Sequence, residues 1–166
     1  MDCRADFDPM KLAQLFEPCQ IIMEMTAVEH WPAIVELVGH LIESNHLPAA
    51  QRAQILDDFR VREELLSTGI GSGIAIPHIF SDHLEKVVAV YGHSKGGVEF
   101  RAHDNAPVHF IILFIVPRKD YNLHLRTLAA IAKIFTNCEV LRQLKLAESC
   151  DEVLAIFDSK PSRVGA

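Results

Sequence analysis

The chain has 166 residues, a length that fits one domain, and 49% hydrophobic with 23% charged residues leaves enough apolar material for a sizeable core. Its net charge of −6 argues against nucleic acid and anionic membrane as main partners, since both reward clustered Lys and Arg, and a basic protein partner suits it better. The longest apolar run, VHFIILFIV at 108–116, contains a histidine and falls well short of the about 20 apolar residues that a membrane-spanning helix needs, so no direct membrane insertion is expected.

From the N-terminus, MDCRADFDPMK is polar and mixed in charge, unlike a signal peptide. PMKLAQLF reads as a short helix and QIIMEM (20–25) as a strand, with Met23 and Met25 as core filling. TAVE (26–29) has the spacing of a capping box, and behind it Ile34, Leu37, Val38, Leu41 and Ile42 recur at helical spacing. Pro32 fits only in that helix's first turn. Pro48 opens a second helix whose apolar face carries Ile55, Leu56, Phe59 and Leu66, with Gly69 as its stop. KVVAVYGH (86–93) and VHFIILFIV read as strands, the second covered on both faces. A helix is predicted over 121–135 with Leu128, Ile131, Ala132 and Phe135 facing the core, then two short helices near 138–147 and 150–158. The order, one strand, two helices, three strands, then helices, predicts an α/β chain: a three-layer α/β/α sandwich around a mixed sheet, in a single domain spanning 1–166.

Cys3, Cys19, Cys138 and Cys150 form no CxxC pair and are too spread for a metal knuckle, which points to reduced cysteines and a cytoplasmic protein. His83, His93 and His103 stand ten apart, a period of no helical or strand face, and are expected in surface loops.

The stretch GIGSGIAIPH (69–78) raises the functional question. GIGSG lacks the Gly-Lys-Ser/Thr ending of a phosphate-binding loop, and it follows a helix where a dinucleotide fingerprint follows a strand. A bland reading makes it a tight helix-to-strand connection, with His78 merely ending a strand. Local physics favours more. Pro77 fixes its own φ near −65° and biases Ile76 towards extended backbone, stiffening the chain that holds His78, while small residues leave room for a second molecule.

Here the sequence resembles a known family. REELLSTGIGSGIAIPH (62–78) is similar to the signature of the enzyme IIA component of the fructose–mannitol (type 2) class of the bacterial phosphotransferase system. STGIGSGIAIPH is closest to the nitrogen-related regulatory branch. DNAPVHFIILFIVP followed by HLRTLAAIAK (124–133) resembles the family's second histidine block, and the resemblance spans roughly 20 to 158.

The resemblance implies that His78 accepts a phosphoryl group on Nε2 from the phosphocarrier HPr. It further implies transfer to a cysteine of a IIB partner, or a phosphorylation state read by a regulatory target protein. It implies His124 as the hydrogen-bond donor to the phosphoryl oxygens and Arg62 as the stabilising charge. No nucleotide, metal or other cofactor is implied. Imidazole suits this work because it is neutral near pH 7, and phosphoryl transfer needs mainly positioning and electrostatics. In the first turn of a helix, His124 gains that helix's free N–H groups. Without the resemblance, His124 reads as a helix-start surface residue and Arg62 as a solvated helix arginine, with Arg60 as its rival. The chain departs from many members of the family at Ile79 and Phe80, where a small and then a basic residue are common; this adds apolar bulk beside His78. Three readings follow: a regulatory IIA, a sugar-transport IIA for fructose- or mannitol-type substrates, and a binding module with a degenerate site.

Overall fold

A computed structural model describes residues 11–159. Two 3-10 turns, Leu12–Leu15 and Pro18–Gln20, lead into β1 (Ile21–Ile22), α1 (His30–Glu43) and α2 (Arg52–Leu65). Five strands follow: β2 (Gly69–Gly71), β3 (Ile74–Ala75), β4 (His78–Ser81), β5 (Val88–Val98) and β6 (Val108–Pro117). Three helices close the chain: α3 (Tyr121–Phe135), α4 (Cys138–Leu146) and α5 (Cys150–Asp158). The sheet runs β1-β5-β6-β3-β2, with β4 also beside β6, and it is mixed: β5 is antiparallel to β6, whereas β3 and β4 are parallel to it.

Residue alternation divides the core into two layers, as a pleated strand requires. Ile111, Leu113 and Ile115 of β6 pack with Ile34, Leu37, Leu41, Ile55 and Phe59 of α1 and α2. Phe110, Ile112, Phe114 and Val116 pack with Ile131, Ile134, Phe135, Val140, Leu144, Val153 and Phe157 of α3 to α5. The three-layer sandwich is therefore present, and β6 is its apolar centre. Among the described residues no helix is long and apolar enough to cross a membrane.

Several elements differ from their sequence reading. The segment predicted as a strand over 20–25 keeps only two strand residues. TAVE forms no capping box: Glu99 N donates to Val28 O at 2.9 Å and Glu29 forms a bridge with Glu99, so the segment stays extended and α1 begins at His30, with Glu29 at its N-cap but making no side-chain cap bond. The Thr26 N–H and hydroxyl are instead held by Glu36, at 3.0 and 2.8 Å. Pro32 does sit in the first turn of α1, and Pro48 precedes a 3-10 turn (Ala49–Gln51) that runs into α2. α2 ends at Leu65, and Leu66 is exposed. On α3, Ala132 faces solvent and Ile134 faces the core. His93 is buried in β5 and stacked on Phe110 at 5.3 Å, because β5 runs on past the predicted strand end; His83 and His103 are exposed as expected.

Gly69 does not stop α2. It lies in β2, where an added Cβ would come within 2.8 Å of the Ala102 Cα. Backbone cannot move aside as a side-chain tip can, so Gly69→Ala is expected to destabilise the fold by about 1–3 kcal/mol. The measurement is urea unfolding, read as a lower midpoint at unchanged slope.

Candidate functional site

β3 and β4 follow β6 in one register, with Ile74 facing Phe110 and His78 facing Phe114; they are one strand interrupted at Ile76-Pro77. Proline has no N–H to give the ladder and is tolerated at such an interruption. The interruption redirects the Ile76 peptide. Ile76 N donates to Thr68 O at 3.1 Å, and Ile76 O accepts from His78 Nδ1 at 2.7 Å. Pro77 O still accepts from Phe114 N at 3.1 Å, so the ladder resumes at once.

A carbonyl oxygen only accepts, so the Ile76 bond places the His78 proton on Nδ1 and leaves Nε2 with its lone pair. The ring is stacked on Phe114, 5.0 Å between centroids at 10°. Burial is the larger cause that pushes the His78 imidazole below its ordinary value; the Ile76 carbonyl opposes this, while the Arg62 and His124 charges add to it. A half-buried, neutral imidazole with one fixed tautomer is a nucleophile in its reactive form.

His124 sits one turn into α3, 5.5 Å from the His78 ring. It is buried, and its Nδ1 has no hydrogen-bond partner among the described residues. Rings hold it instead: Phe80 edge-on at 4.8 Å, Tyr121 at 5.9 Å and Phe114 at 6.4 Å. Burial pushes its imidazole down as well. The start of α3 is less open to an anion than the sequence suggests, because Asp120 accepts from Leu123 N at 2.9 Å and puts a carboxylate at the positive end.

Arg62 is in the last turn of α2, with Nη1 donating to Leu66 O at 2.9 Å. That bond ties the last turn of α2 to the extended residue that follows it, and the guanidinium's charge reaches His78. Its rival Arg60 is spent elsewhere, over the Trp31 ring at 4.7 Å. The structure thus brings His78 and His124 into ring contact and puts Arg62 within electrostatic range.

The departure after His78 resolves by face. Ile79 points into the α1/α2 core layer, away from His78. Phe80 shares the face of His78, packs on His124 and carries Arg118 above it at 5.9 Å, with Arg118 paired to Asp82 at 2.8 Å.

The glycine stretch makes a hairpin, with left-handed backbone at Gly71, Ser72 and Gly73. Ser72 N donates to Asp104 at 3.0 Å, so the turn is closed by a carboxylate and offers no cradle for phosphate at that N–H.

Glu63 is the residue that sequence reasoning missed. Its side chain is 5% exposed and bonds His30 Nε2 at 2.7 Å and the Thr68 hydroxyl at 2.7 Å. In REELL it is indistinguishable from a solvated helix glutamate.

The chain matches the family model of the phosphoenolpyruvate-dependent sugar phosphotransferase system, EIIA 2, over residues 14–160. It is 30% identical over 151 residues to the fructose-specific EIIABC component of Bacillus subtilis, covering 90% of this chain and 23% of that protein; it spans about a quarter of that relative's length. The crystal structure of nitrogen regulatory protein IIA-Ntr from Neisseria meningitidis superimposes with a TM-score of 0.78 at 26% identity, covering 88% of this chain and 98% of that one. A complex of enzyme IIAMTL and phosphorylated enzyme IIBMTL from Escherichia coli has the same fold, with a TM-score of 0.70 at 19% identity over 86% of this chain and 96% of that one.

Because burial depresses both imidazoles, the unfolded chain takes up protons at these positions before the folded one does, from an ordinary value of about 6.5 downward. Stability contributed by His78 and His124 is therefore present above about pH 6.5 and is lost as pH falls below it. NMR titration should show both rings protonating below free histidine. The slope of stability against pH in the range below about 6.5 should flatten in His78→Gln.

Proposed function

The chain belongs to the EIIA 2 family of the phosphoenolpyruvate-dependent sugar phosphotransferase system, and within it we propose that this protein is a phosphoryl carrier that takes the group on Nε2 of His78. The observation that carries the reading is the bond from His78 Nδ1 to Ile76 O, which leaves Nε2 as the only ring nitrogen with a free electron pair. That pair attacks phosphorus on a phosphohistidine of an HPr-like carrier. A new N–P bond forms, the donor's N–P bond breaks, and the donor nitrogen keeps the electron pair. The proton stays on Nδ1 throughout, donated to Ile76 O. In onward transfer a cysteine thiolate of a IIB partner attacks the same phosphorus and His78 recovers its pair.

His124 donates to the equatorial oxygens. Its buried Nδ1 lacks a partner, and an acceptor is left unpaired more readily than an N–H, which places the proton on Nε2. Arg62 supplies permanent charge: one guanidinium N–H is used on Leu66 O and the rest of the fork is free for anionic oxygens. In this reading the donors and targets are cytoplasmic proteins.

The regulatory, nitrogen-type version is favoured over sugar transport. STGIGSGIAIPH resembles that branch, and the IIA-Ntr structure is nearer than the mannitol IIA in both TM-score and identity. Phosphorylation would add about −1.5 to −2 charge at the His78 face and so alter which proteins bind there. A degenerate site is disfavoured because Phe80 supports His124 and does not displace it.

The test is incubation with phosphoenolpyruvate, enzyme I and an HPr-like carrier, followed by intact mass. Wild type should gain one acid-labile phosphoryl group and His78→Ala none. His124→Ala should gain it about 10²–10³-fold more slowly, as for loss of one oxyanion donor. Uptake by His78→Ala, or none by wild type, refutes the assignment. Transfer to a purified IIB domain at rates matching uptake would favour the transport version.

A further inference from the structure

A second cluster of chemistry-bearing side chains shares no residue with the His78 site. Glu17, Cys19 and His46 place a carboxylate oxygen, a sulfur and a ring nitrogen within 4.8 Å of one another. Glu17 and Cys19 flank Pro18 at a 3-10 turn, and His46 follows the end of α1. The sequence does not reveal it, because the ligands come from segments 27 residues apart and only one is cysteine.

Three features make it more than a chance of exposed groups. The first is spacing. Glu17 Oε2 lies 3.3 Å from His46 Nε2 and 3.6 Å from Cys19 Sγ. Metal bonds of about 2.0 Å to oxygen and nitrogen and about 2.3 Å to sulfur, set at tetrahedral angles, require edges of about 3.3 Å (O to N) and about 3.5 Å (O to S).

The second is the His46 tautomer. Ser44 Oγ lies 2.8 Å from His40 O and 2.9 Å from His46 Nδ1; a hydroxyl that donates to His40 O accepts from Nδ1. In that arrangement the proton sits on Nδ1 and the Nε2 lone pair faces a carboxylate oxygen. Two lone pairs repel unless a cation lies between them, either a proton or a metal ion. A ligating histidine whose other nitrogen donates to an oxygen is the arrangement metal sites use.

The third is anchoring of the turn. Glu17 N donates to Gln20 Oε1 at 2.6 Å, Gln20 Nε2 donates to Ala89 O at 2.9 Å, and His40 Nε2 donates to Cys19 O at 2.6 Å. The backbone carrying two ligands is thus fixed to both β5 and α1.

We propose that Glu17, Cys19 and His46 form a zinc-class divalent metal site that fastens the 17–20 turn to the end of α1. The donor set is one thiolate, one neutral imidazole and one carboxylate, mixed in softness as Zn²⁺ accepts, and its two negative charges cancel the ion's. On binding, the Cys19 thiol proton, now directed at Glu17, is released to solvent. Both side chains at the turn are exposed, so the fourth position is open to water.

The test uses the whole chain, reduced and stripped of metal. Cobalt(II) should bind at one equivalent with the visible bands of a tetrahedral site and a thiolate-to-metal charge-transfer band, and zinc should displace it. Cys19→Ser should lose the charge-transfer band. His46→Gln should weaken zinc binding at least as much as Ser44→Ala, for which loss of an outer partner predicts about 10–100-fold. Cys138→Ser, which removes another exposed free thiol, should match wild type. Zinc should raise the unfolding temperature of wild type and not of Cys19→Ser. The proposal is overturned if wild type binds no cobalt with a thiolate band, if the band survives in Cys19→Ser or vanishes in Cys138→Ser, or if Ser44→Ala binds zinc as tightly as wild type.

Discussion

The candidate site depends on one hydrogen bond, from the His78 ring to the carbonyl two residues before it. Such a bond is rare inside a strand, because strand carbonyls are already used by the neighbouring strand. It exists here because Pro77 breaks the β3–β4 ladder for a single peptide while leaving register with β6 intact. A shift of register would turn His78 into the α1/α2 core layer, where Ile79 now sits. The proline therefore does two jobs that pull against each other: it frees a carbonyl, and it keeps the alternation that points the ring at α3.

That freed peptide needs its own support, and a buried carboxylate provides it. Glu63 holds Thr68, the Thr68 carbonyl holds Ile76 N, and the Ile76 carbonyl holds His78. The other Glu63 contact is His30, at the start of α1. A chain of bonds thus runs from the first helix through the end of the second to the imidazole. A buried carboxylate is costly unless paired, and pairing with His30, the Thr68 hydroxyl and, at 3.4 Å, the Thr68 N–H makes the loop between α2 and β2 a fixed wall.

The sequence made the sandwich legible because its strongest signals are periodic. The β6 run is apolar throughout, as a strand covered on both faces must be, and α3 was bounded correctly by its apolar spacing. Local cap signals misled where distant backbone competed for the same groups. TAVE lost its helix start to Glu99, and Gly69 is drawn into β2 by close packing on Ala102. The proposed roles of His78, His124 and Arg62 come from their motifs, not from physics visible in one chain. The choice between Arg60 and Arg62 became physical only once Trp31 was seen to occupy Arg60. Glu63 and the Glu17-Cys19-His46 cluster stayed hidden because each joins segments that no local pattern connects.

His78 and His124 are fixed by opposite means, and the difference suits the work proposed for each. A nucleophile must present one nitrogen, so a hydrogen bond that sets the tautomer is the right constraint for His78. A donor to a moving phosphoryl group must keep its N–H uncommitted, and His124 is accordingly held by ring packing against Phe80, Tyr121 and Phe114. Ring contacts fix the plane of an imidazole without consuming its proton. In that light Phe80, at the position where the resemblance leads one to expect a basic residue, moves support for the site from charge to shape. The charge itself is kept one step further out, on Arg118 above the Phe80 ring. Asp82 offsets it, so the permanent positive charge that acts on His78 rests on Arg62.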